Sequence, residues 1–445
     1  MTDPTPIDAE ARALEHLKQA ELAAAKIADL PAGTPVRAIA RVGIVGAGTM
    51  GGGIAMSFAS AGIPVVLVET RQEALDKGLA TIRRNYANTV SKGRLSQADM
   101  DARMARIEPT LELARVAGTD LAIEAVFEDM GVKKELFGKL DALLGPDAIL
   151  ATNTSRLNVD EIAAATSRPA SVIGLHFFSP ANVMRLVEVV RGRASAPWVI
   201  ATSMDAVRRI GKLPVLVGVC DGFVGNRMVA QYAREAEFLL EEGASPEQVD
   251  AALKAFGLAM GRFTMSDMAG LDIAWAGRKR TAATRPAHLR YSKVADRLCE
   301  MGRFGQKTGA GFYRYAQGDR TPIPDPVVQD VIEQCAREAG IVRRAIGDDE
   351  IVERTMYALV NEGAKVLDEG IAQRASDIDL IYANGYGFPK SRGGPMHWAD
   401  TVGLPKVLAR IREFHAAQGE FWKPAALLER LVREGRTFAD ADAGR

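Results

Sequence analysis

Apolar residues recur at helical spacing near the start of the chain and then in short, uninterrupted runs. Ala13, Leu17, Ala20, Ala24 and Ile27 fall on one face of an amphipathic helix predicted over residues 8–29, and Pro31, Gly33 and Pro35 mark the linker that comes next. From Arg41 the pattern changes. RVGIVG, PVVLVE, DLAIEAV, AILATN, SVIGLHFF and LPVLVG are rich in β-branched residues, nearly free of charge and bounded by Gly, Pro or Asp, so they read as strands. Helical segments alternate with them. Strands that are apolar throughout imply a parallel sheet covered by helices on both faces. From Asp221 the strand signals fade and helical segments take over.

The helical part repeats itself. NRMVAQYAREAEFLLEEG aligns with ERTMYALVNEGAKVLDEG, and in each an arginine (Arg227, Arg354) precedes a glycine (Gly243, Gly370) by sixteen positions. PEQVDAALKAFG then matches ASDIDLIYANGYG. MGRFTMSDMAGLD matches RGGPMHWADTVGLP, which aligns Asp267 with Asp400 and Gly270 with Gly403. Convergent helical composition would not reproduce that order and spacing, so one helical domain is duplicated. The expected organisation is an N-terminal helix and linker over 1–35, an α/β domain over 36–219, and helical copies over 220–320 and 321–445.

Length and charge narrow the function classes. A chain of 445 residues exceeds one ordinary core. Its 56 Lys+Arg balance 56 Asp+Glu, which argues against nucleic acid or a charged membrane surface as partner. The three cysteines, Cys220, Cys299 and Cys335, are far apart, so neither a disulfide framework nor a zinc site is expected. The N-terminus is polar and acidic without a signal-peptide core, and no run reaches the roughly 18 apolar residues of a membrane span. The expected compartment is the cytoplasm.

The most specific chemistry lies in Gly46-Ala47-Gly48-Thr49-Met50-Gly51, directly after the first strand and opening a helix. Gly46 allows the tight turn, Gly48 lets the backbone approach a pyrophosphate, and Gly51 permits close helix–strand packing. The N–H groups of the helix start, with Thr49 and Met50 in its first turn, would face the phosphate oxygens. Gly52 and Gly53 each cost the helix about 1 kcal/mol relative to Ala, which implies crowding there. Glu69 ends the second strand, where an acid can accept bonds from the adenosine ribose and repel a 2′-phosphate. This favours NAD over NADP, although Arg71 is close enough to soften the preference; FAD is an alternative with no further signal. The same Glu69 also reads as a solvated strand-end carboxylate.

His176 (GLHFFSP) and Glu188 (RLVEVV) both lie in apolar stretches. A lone histidine there is more often a satisfied core residue than a catalytic one. A buried glutamate needs a partner, however, and pairing would satisfy both. The carboxylate would then fix the imidazole tautomer while the free nitrogen takes a proton. Ser155 and Asn153 (ATNTS) follow a strand, where Ser and Asn also form ordinary turns. Asn226 (GFVGNR) reads as a substrate contact or as a helix cap. The position equivalent to Asn226 in the second repeat is Glu353, which suggests a structural second copy.

NTS, GLHFFSP, VMRLVEVV and GFVGNR, in this order after the glycine turn and continuing through KTGAGFY and the duplicated helices, resemble the L-3-hydroxyacyl-CoA dehydrogenase family over roughly residues 36–440. In detail they most resemble the dehydrogenase half of peroxisomal-type multifunctional β-oxidation enzymes, with the enoyl-CoA hydratase domain missing and the helix at 8–29 similar to the linker that would join the halves. The resemblance implies a Rossmann-type doubly wound NAD-binding domain followed by two all-α dehydrogenase C-terminal domains. It implies His176 as general base, Glu188 orienting it, and Ser155 and Asn226 bonding the substrate oxygens. It places Glu128, Lys133 and Asn153 around the NAD ribose and nicotinamide, and Lys92, with Arg94, near the CoA phosphates, although basic residues at a helix end are also simply solvated. Arg156 departs from the family, where many relatives carry a small residue. The substrate would be an acyl-CoA thioester. A monomer is expected, because the duplicate would fill the surface that pairs subunits in shorter members, and a separate hydratase is a candidate partner. The rivals are a hydratase–dehydrogenase, a retired NAD-binding or docking protein, and a dehydrogenase of a free hydroxy acid.

Overall fold

The computed structural model describes residues 6–27 and 29–443. Parts of two predicted segments, residues 1–5 and 28 of the N-terminal one and 444–445 of the second copy, lie outside the described residues. In chain order the elements are α1 (Pro6–Ala24), β1 (Val42–Val45), α2 (Thr49–Ser60), β2 (Val65–Val68), α3 (Gln72–Ser91), α4 (Gln97–Ala105), β3 (Ile107–Thr110), β4 (Leu121–Glu124), α5 (Met130–Leu143), β5 (Ile149–Thr152), α6 (Val159–Ala163), β6 (Val172–Phe177), β7 (Leu186–Arg191), α7 (Pro197–Arg209) and β8 (Leu213–Gly218). The remaining elements are helices: α8 (Gly225–Glu242), α9 (Pro246–Phe256), α10 (Arg262–Ala269), α11 (Leu271–Thr281), α12 (Val294–Glu300), α13 (Pro326–Glu338), α14 (Asp348–Asp368), α15 (Ala375–Gly385), α16 (Pro395–Val402), α17 (Leu404–Gln418), α18 (Ala426–Glu434) and α19 (Phe438–Ala443).

The strands form one sheet in the order β3-β2-β1-β4-β5-β6-β7-β8. The six predicted runs supply β1, β2, β4, β5, β6 and β8. The sheet is not wholly parallel as expected: β7 runs antiparallel to β6. Residues 178–185 between them are too few for the crossover helix that a parallel pair requires. The edge strand β3 carries Pro109, which an edge tolerates because it lacks a ladder donor.

The chain divides into two compact units. The first comprises Glu15–Asn226, Val366–Tyr386 and Asp442–Arg445 and contains the sheet. Its core is the apolar interior of the strands, including Ile44, Leu67, Ile123 and Leu175, packed against Phe58 of α2 and Val207 of α7. Helix α15, from the second repeat, packs on β7 and β8. The unit also holds most of α1, where His16 lies 2.8 Å from Asp379 of α15 and Arg185 donates to Glu21 at 2.7 Å.

The other unit comprises Met1–Leu14, Arg227–Lys365 and Gly387–Ala441, and its described residues form helices and loops. The two repeats meet inside it through reciprocal ion pairs. Arg227 donates to Glu362 at 2.7 Å, and its repeat-equivalent Arg354 donates to Glu235 at 2.9 Å. The repeated aspartates do equivalent work. Asp267 accepts the N–H groups of Phe312 and Tyr313, and Asp400 those of Phe438 and Ala439. Gly270 and Gly403 share one left-handed conformation, with φ 95° in both. These matches rule out chance similarity of helical composition.

Candidate active site

The glycine turn is built as its spacing predicts. Gly46 has φ 106°, open to glycine at little cost. A Cβ on Gly51 would stand 1.8 Å from the Gly46 carbonyl oxygen, so helix and turn can approach only with hydrogen there. A Cβ on Gly48 would meet nothing within 4 Å, and Gly48 and Thr49 are exposed, with Met50 partly so. The crowding implied by Gly52 and Gly53 has named sources. Their added Cβ atoms would face Ile82 of α3 at 3.4 Å and Ala181 at 3.1 Å respectively. No side chain caps the start of α2 and its first turn carries no acid. An open, uncapped, positively polarised helix start beside a bare backbone fits a pyrophosphate.

Glu69 stands beside this turn. Its Oε2 accepts the Ala47 N–H at 3.1 Å and its Oε1 the Thr70 N–H at 2.7 Å. Burial raises its pKa, but the bonds from Thr70 and Ala47 outweigh it and hold the carboxyl below its ordinary range. Glu69 therefore stays ionised and can accept from a diol.

A second acidic cluster lies at the ends of β4 and β5. Glu128 accepts from Thr154 Oγ1 at 2.7 Å, Ser155 N–H at 2.8 Å and Ser155 Oγ at 3.1 Å. Burial raises its pKa, and the Lys133 charge with these bonds lowers it further than burial lifts it. Lys133 is 1% exposed, its ammonium 2.5 Å from Glu124 and 3.4 Å from Glu128. The sequence reading missed Glu124. It is fully buried, and also takes the Thr152 hydroxyl at 2.7 Å and the Val126 N–H at 2.8 Å. The signal was present: an acid inside the apolar run DLAIEAV needs a partner, just as Glu188 does. Asn153 accepts the Phe177 N–H at 2.9 Å, tying the end of β5 to the end of β6.

His176 and Glu188 are cross-strand partners in the antiparallel β6–β7 pair, so their side chains share a face. His176 Nδ1 lies 2.7 Å from Glu188 Oε2. The other carboxylate oxygen accepts the Gly225 N–H at 2.9 Å, and Glu188 is 0% exposed. The acceptor-only carboxylate requires the proton on Nδ1, which leaves Nε2 bare in the neutral ring. Phe178 and Phe223 flank the imidazole, with ring centroids 4.6 and 5.7 Å away. Phe223 holds φ 50°, a strained backbone of the kind that gathers at functional sites, at a cost of about 1–3 kcal/mol.

Ser155 and Asn226 meet directly: Asn226 Nδ2 donates to the Ser155 carbonyl at 3.1 Å. Asn226 Oδ1 accepts from the hydroxyl of Tyr386 at 2.8 Å. Tyr386 was missed as well, and no local signal marks it, since it follows α15 in a repeat read as structural. Burial, with Glu188 and Tyr382 adding to it, pushes its phenol well above the ordinary range. Arg156 lies 3.7 Å from Asp221, and its charge reaches Tyr386. Lys92 and Arg94 stand apart from this cluster, exposed beyond the end of α3. Among the described residues no group of acids, histidines and cysteines could hold a metal, and no helix is long and apolar enough to cross a membrane.

Comparison with known proteins agrees with this geometry. Residues 41–220 match the NAD binding domain of 3-hydroxyacyl-CoA dehydrogenase, and 222–315 and 351–444 each match its C-terminal domain. The human peroxisomal bifunctional enzyme is 43% identical over 96% of this chain and 61% of its own length. The chain thus spans about three fifths of the curated relatives it matches. Among solved structures, the dehydrogenase part of multifunctional enzyme 1 from C. elegans is 30% identical, with a TM-score of 0.68 over 94% of this chain and 96% of that one. The 3-hydroxybutyryl-CoA dehydrogenase from Escherichia coli is 28% identical, with a TM-score of 0.78 over 90% and 100%. One expectation is overturned. The relatives from guinea pig, zebrafish, human and Arabidopsis are named as peroxisomal proteins, which points to the peroxisome and contradicts the cytoplasmic compartment expected from the sequence.

Proposed function

This chain belongs to the 3-hydroxyacyl-CoA dehydrogenase family, and we propose that it interconverts L-3-hydroxyacyl-CoA and 3-oxoacyl-CoA thioesters with NAD as the redox partner. The observation that carries the reading is the buried His176–Glu188 pair, with Glu188 saturated by Gly225 and Nε2 left free. In the oxidative direction Nε2 accepts the 3-hydroxyl proton as the C3–H bond breaks, and the oxygen lone pair becomes the second C–O bond. NAD supplies the hydride acceptor. Glu188 holds the imidazole in the required tautomer and stabilises the imidazolium formed. Asn226 donates its remaining amide N–H to a substrate oxygen, and the Ser155 hydroxyl, which donates to Glu128 at 3.1 Å without substrate, turns to hydrogen-bond the substrate oxygens. In reverse, His176 is the acid. Such proton transfer is worth about 10²–10⁴ in rate, and positioning accounts for much of the remainder.

The residues that would hold NAD are Gly46, Gly48, Thr49, Met50 and Gly51 for the pyrophosphate and Glu69 for the adenosine ribose. Glu128, Lys133 and Asn153 would contact NAD around the ribose and nicotinamide, with the Lys133 ammonium 3.4 Å from Glu128. Lys92 is assigned to the CoA phosphates. The reciprocal pairs Arg227–Glu362 and Arg354–Glu235 support a monomer in which the second copy serves as an internal partner. Light scattering checks this, and a stable dimer would contradict it.

The test is NADH oxidation with acetoacetyl-CoA beside free acetoacetate, on wild type and His176→Ala. Turnover of the thioester alone, lost by about 10²-fold or more in the variant, is expected. Equal turnover of the free acid would replace the CoA reading, and no turnover of either with NADH binding intact would overturn it.

A further inference from the structure

We propose that Tyr386, delivered by the second helical repeat, is a positioning residue for Asn226: its hydroxyl anchors the amide oxygen and so fixes the direction in which the remaining amide N–H is offered to substrate. The inference rests on the assignment of Asn226 to substrate binding above. An asparagine side chain has two nearly isosteric ends, and only its partners decide their order. Here the partners are unequal. The Ser155 carbonyl can only accept, so it takes an amide N–H at 3.1 Å. Tyr386 can donate, and it does so to Oδ1 at 2.8 Å. Turning the amide over would set two carbonyl oxygens against each other. Both ends are therefore fixed, and one N–H remains for a substrate oxygen. Glu188 performs the same service for His176, and the two arrangements meet at Gly225, whose N–H binds Glu188 and whose neighbour is Asn226.

The rest of the neighbourhood is built to hold Tyr386 there. A Cβ on Gly225 would stand 2.5 Å from the Tyr386 ring and hydroxyl, so the phenol reaches Asn226 only because position 225 is glycine. Tyr382 stacks on Tyr386 at 4.9 Å and 22°, and its own hydroxyl donates to the Gly225 carbonyl at 3.1 Å. Phe178 meets the same ring edge-on at 5.4 Å. The raised pKa keeps the phenol a donor through the neutral range. The second repeat, which carries Glu353 where the first has Asn226, thus contributes to the site by another route.

The experiment is a double-mutant cycle of Tyr386→Phe and Asn226→Ala, read as kcat/KM with acetoacetyl-CoA and NADH, together with crystal structures of wild type and Tyr386→Phe. Loss of one neutral hydrogen bond predicts a fall of about 3- to 10-fold for Tyr386→Phe. In the Asn226→Ala background the same change should have no effect, because Tyr386 acts only through that amide. Equal losses in both backgrounds would overturn the proposal in favour of a packing role. The structures are expected to show the Asn226 side chain in one rotamer in wild type and displaced, or spread over two rotamers, in the variant. An unmoved Asn226 overturns the proposal whether or not the thioester is turned over. A wild type inactive on the thioester counts against the functional reading alone, since the crystal structures still decide the role of Tyr386.

Discussion

Glu188→Gln replaces a carboxylate by its nearest neutral shape, and the geometry sets the consequence. The carboxylate serves two donors, the His176 ring at 2.7 Å and the Gly225 N–H at 2.9 Å. Glutamine has one acceptor oxygen. If that oxygen keeps Gly225, the amide NH₂ faces Nδ1 and the ring must carry its proton on Nε2, the atom that has to be bare to take the hydroxyl proton. If the oxygen keeps His176, the NH₂ opposes the Gly225 N–H, an unsatisfied buried donor costing about 1–3 kcal/mol. The first arrangement avoids that cost, so the inactive tautomer is favoured. The expected loss is about 10²–10⁴ in kcat, or roughly 3–5 kcal/mol at 1.36 kcal/mol per decade. The assay is NAD reduction by (S)-3-hydroxybutyryl-CoA at saturating substrate, the direction in which Nε2 must be bare, with urea denaturation in parallel to separate lost activity from lost fold. A loss under about tenfold, in a protein where His176→Ala is severely impaired, would refute the claim that Glu188 sets the tautomer.

Three other substitutions test other parts of the structure. Gly51→Ala puts a methyl 1.8 Å from the Gly46 oxygen and should open the turn, weakening NADH binding by about tenfold or more (1.4 kcal/mol) in a fluorescence titration; unchanged affinity would remove the turn from the cofactor site. Arg354→Ala leaves Glu235 buried without its main partner, both side chains being 0% exposed, and should cost about 3–5 kcal/mol by urea denaturation; a change under about 1 kcal/mol would contradict it. Asp377 is pushed up to about 7, first by burial and then by Asp442 and Asp379, against the opposing charge of Arg374. Its folded pKa lies above the ordinary 3.8, so the stability it contributes is fully present below pH 4 and lost as pH rises through 7. Asp377→Asn should therefore flatten the fall in melting temperature between pH 5 and pH 8, and an unaltered slope would show that this carboxyl is not the cause.

The apolar runs exposed most of the sheet to a sequence reading, because strands buried on both faces leave a continuous signal. β3 escaped because IEPT is polar and carries a proline, the composition that an edge allows. β7 was seen as an apolar stretch around Glu188, but its reversal was not, since periodicity carries no direction. That reversal places His176 opposite Glu188. The need to pair a buried carboxylate suggested the dyad; the register supplied the contact. The same reasoning would have found Glu124, whose charge sits in an equally apolar run. Tyr386 was out of reach, because its contact with Asn226 depends on how α15 lies on β7 and β8. The repeat was legible because its aspartates and glycines hold fixed backbone conformations, which side-chain drift leaves alone.

Everything proposed for this site turns on hydride transfer from C3 of a CoA thioester to NAD, with the hydroxyl proton leaving through His176. The most direct test uses (S)-3-hydroxybutyryl-CoA carrying deuterium at C3, incubated with NAD and the purified chain, and reads the mass of the NADH formed. The expected result is NADH one mass unit heavier, a 3-oxoacyl-CoA product without deuterium at C3, and almost no label transfer with His176→Ala. NADH without deuterium, or no NADH at all from an enzyme that binds NAD, would contradict it.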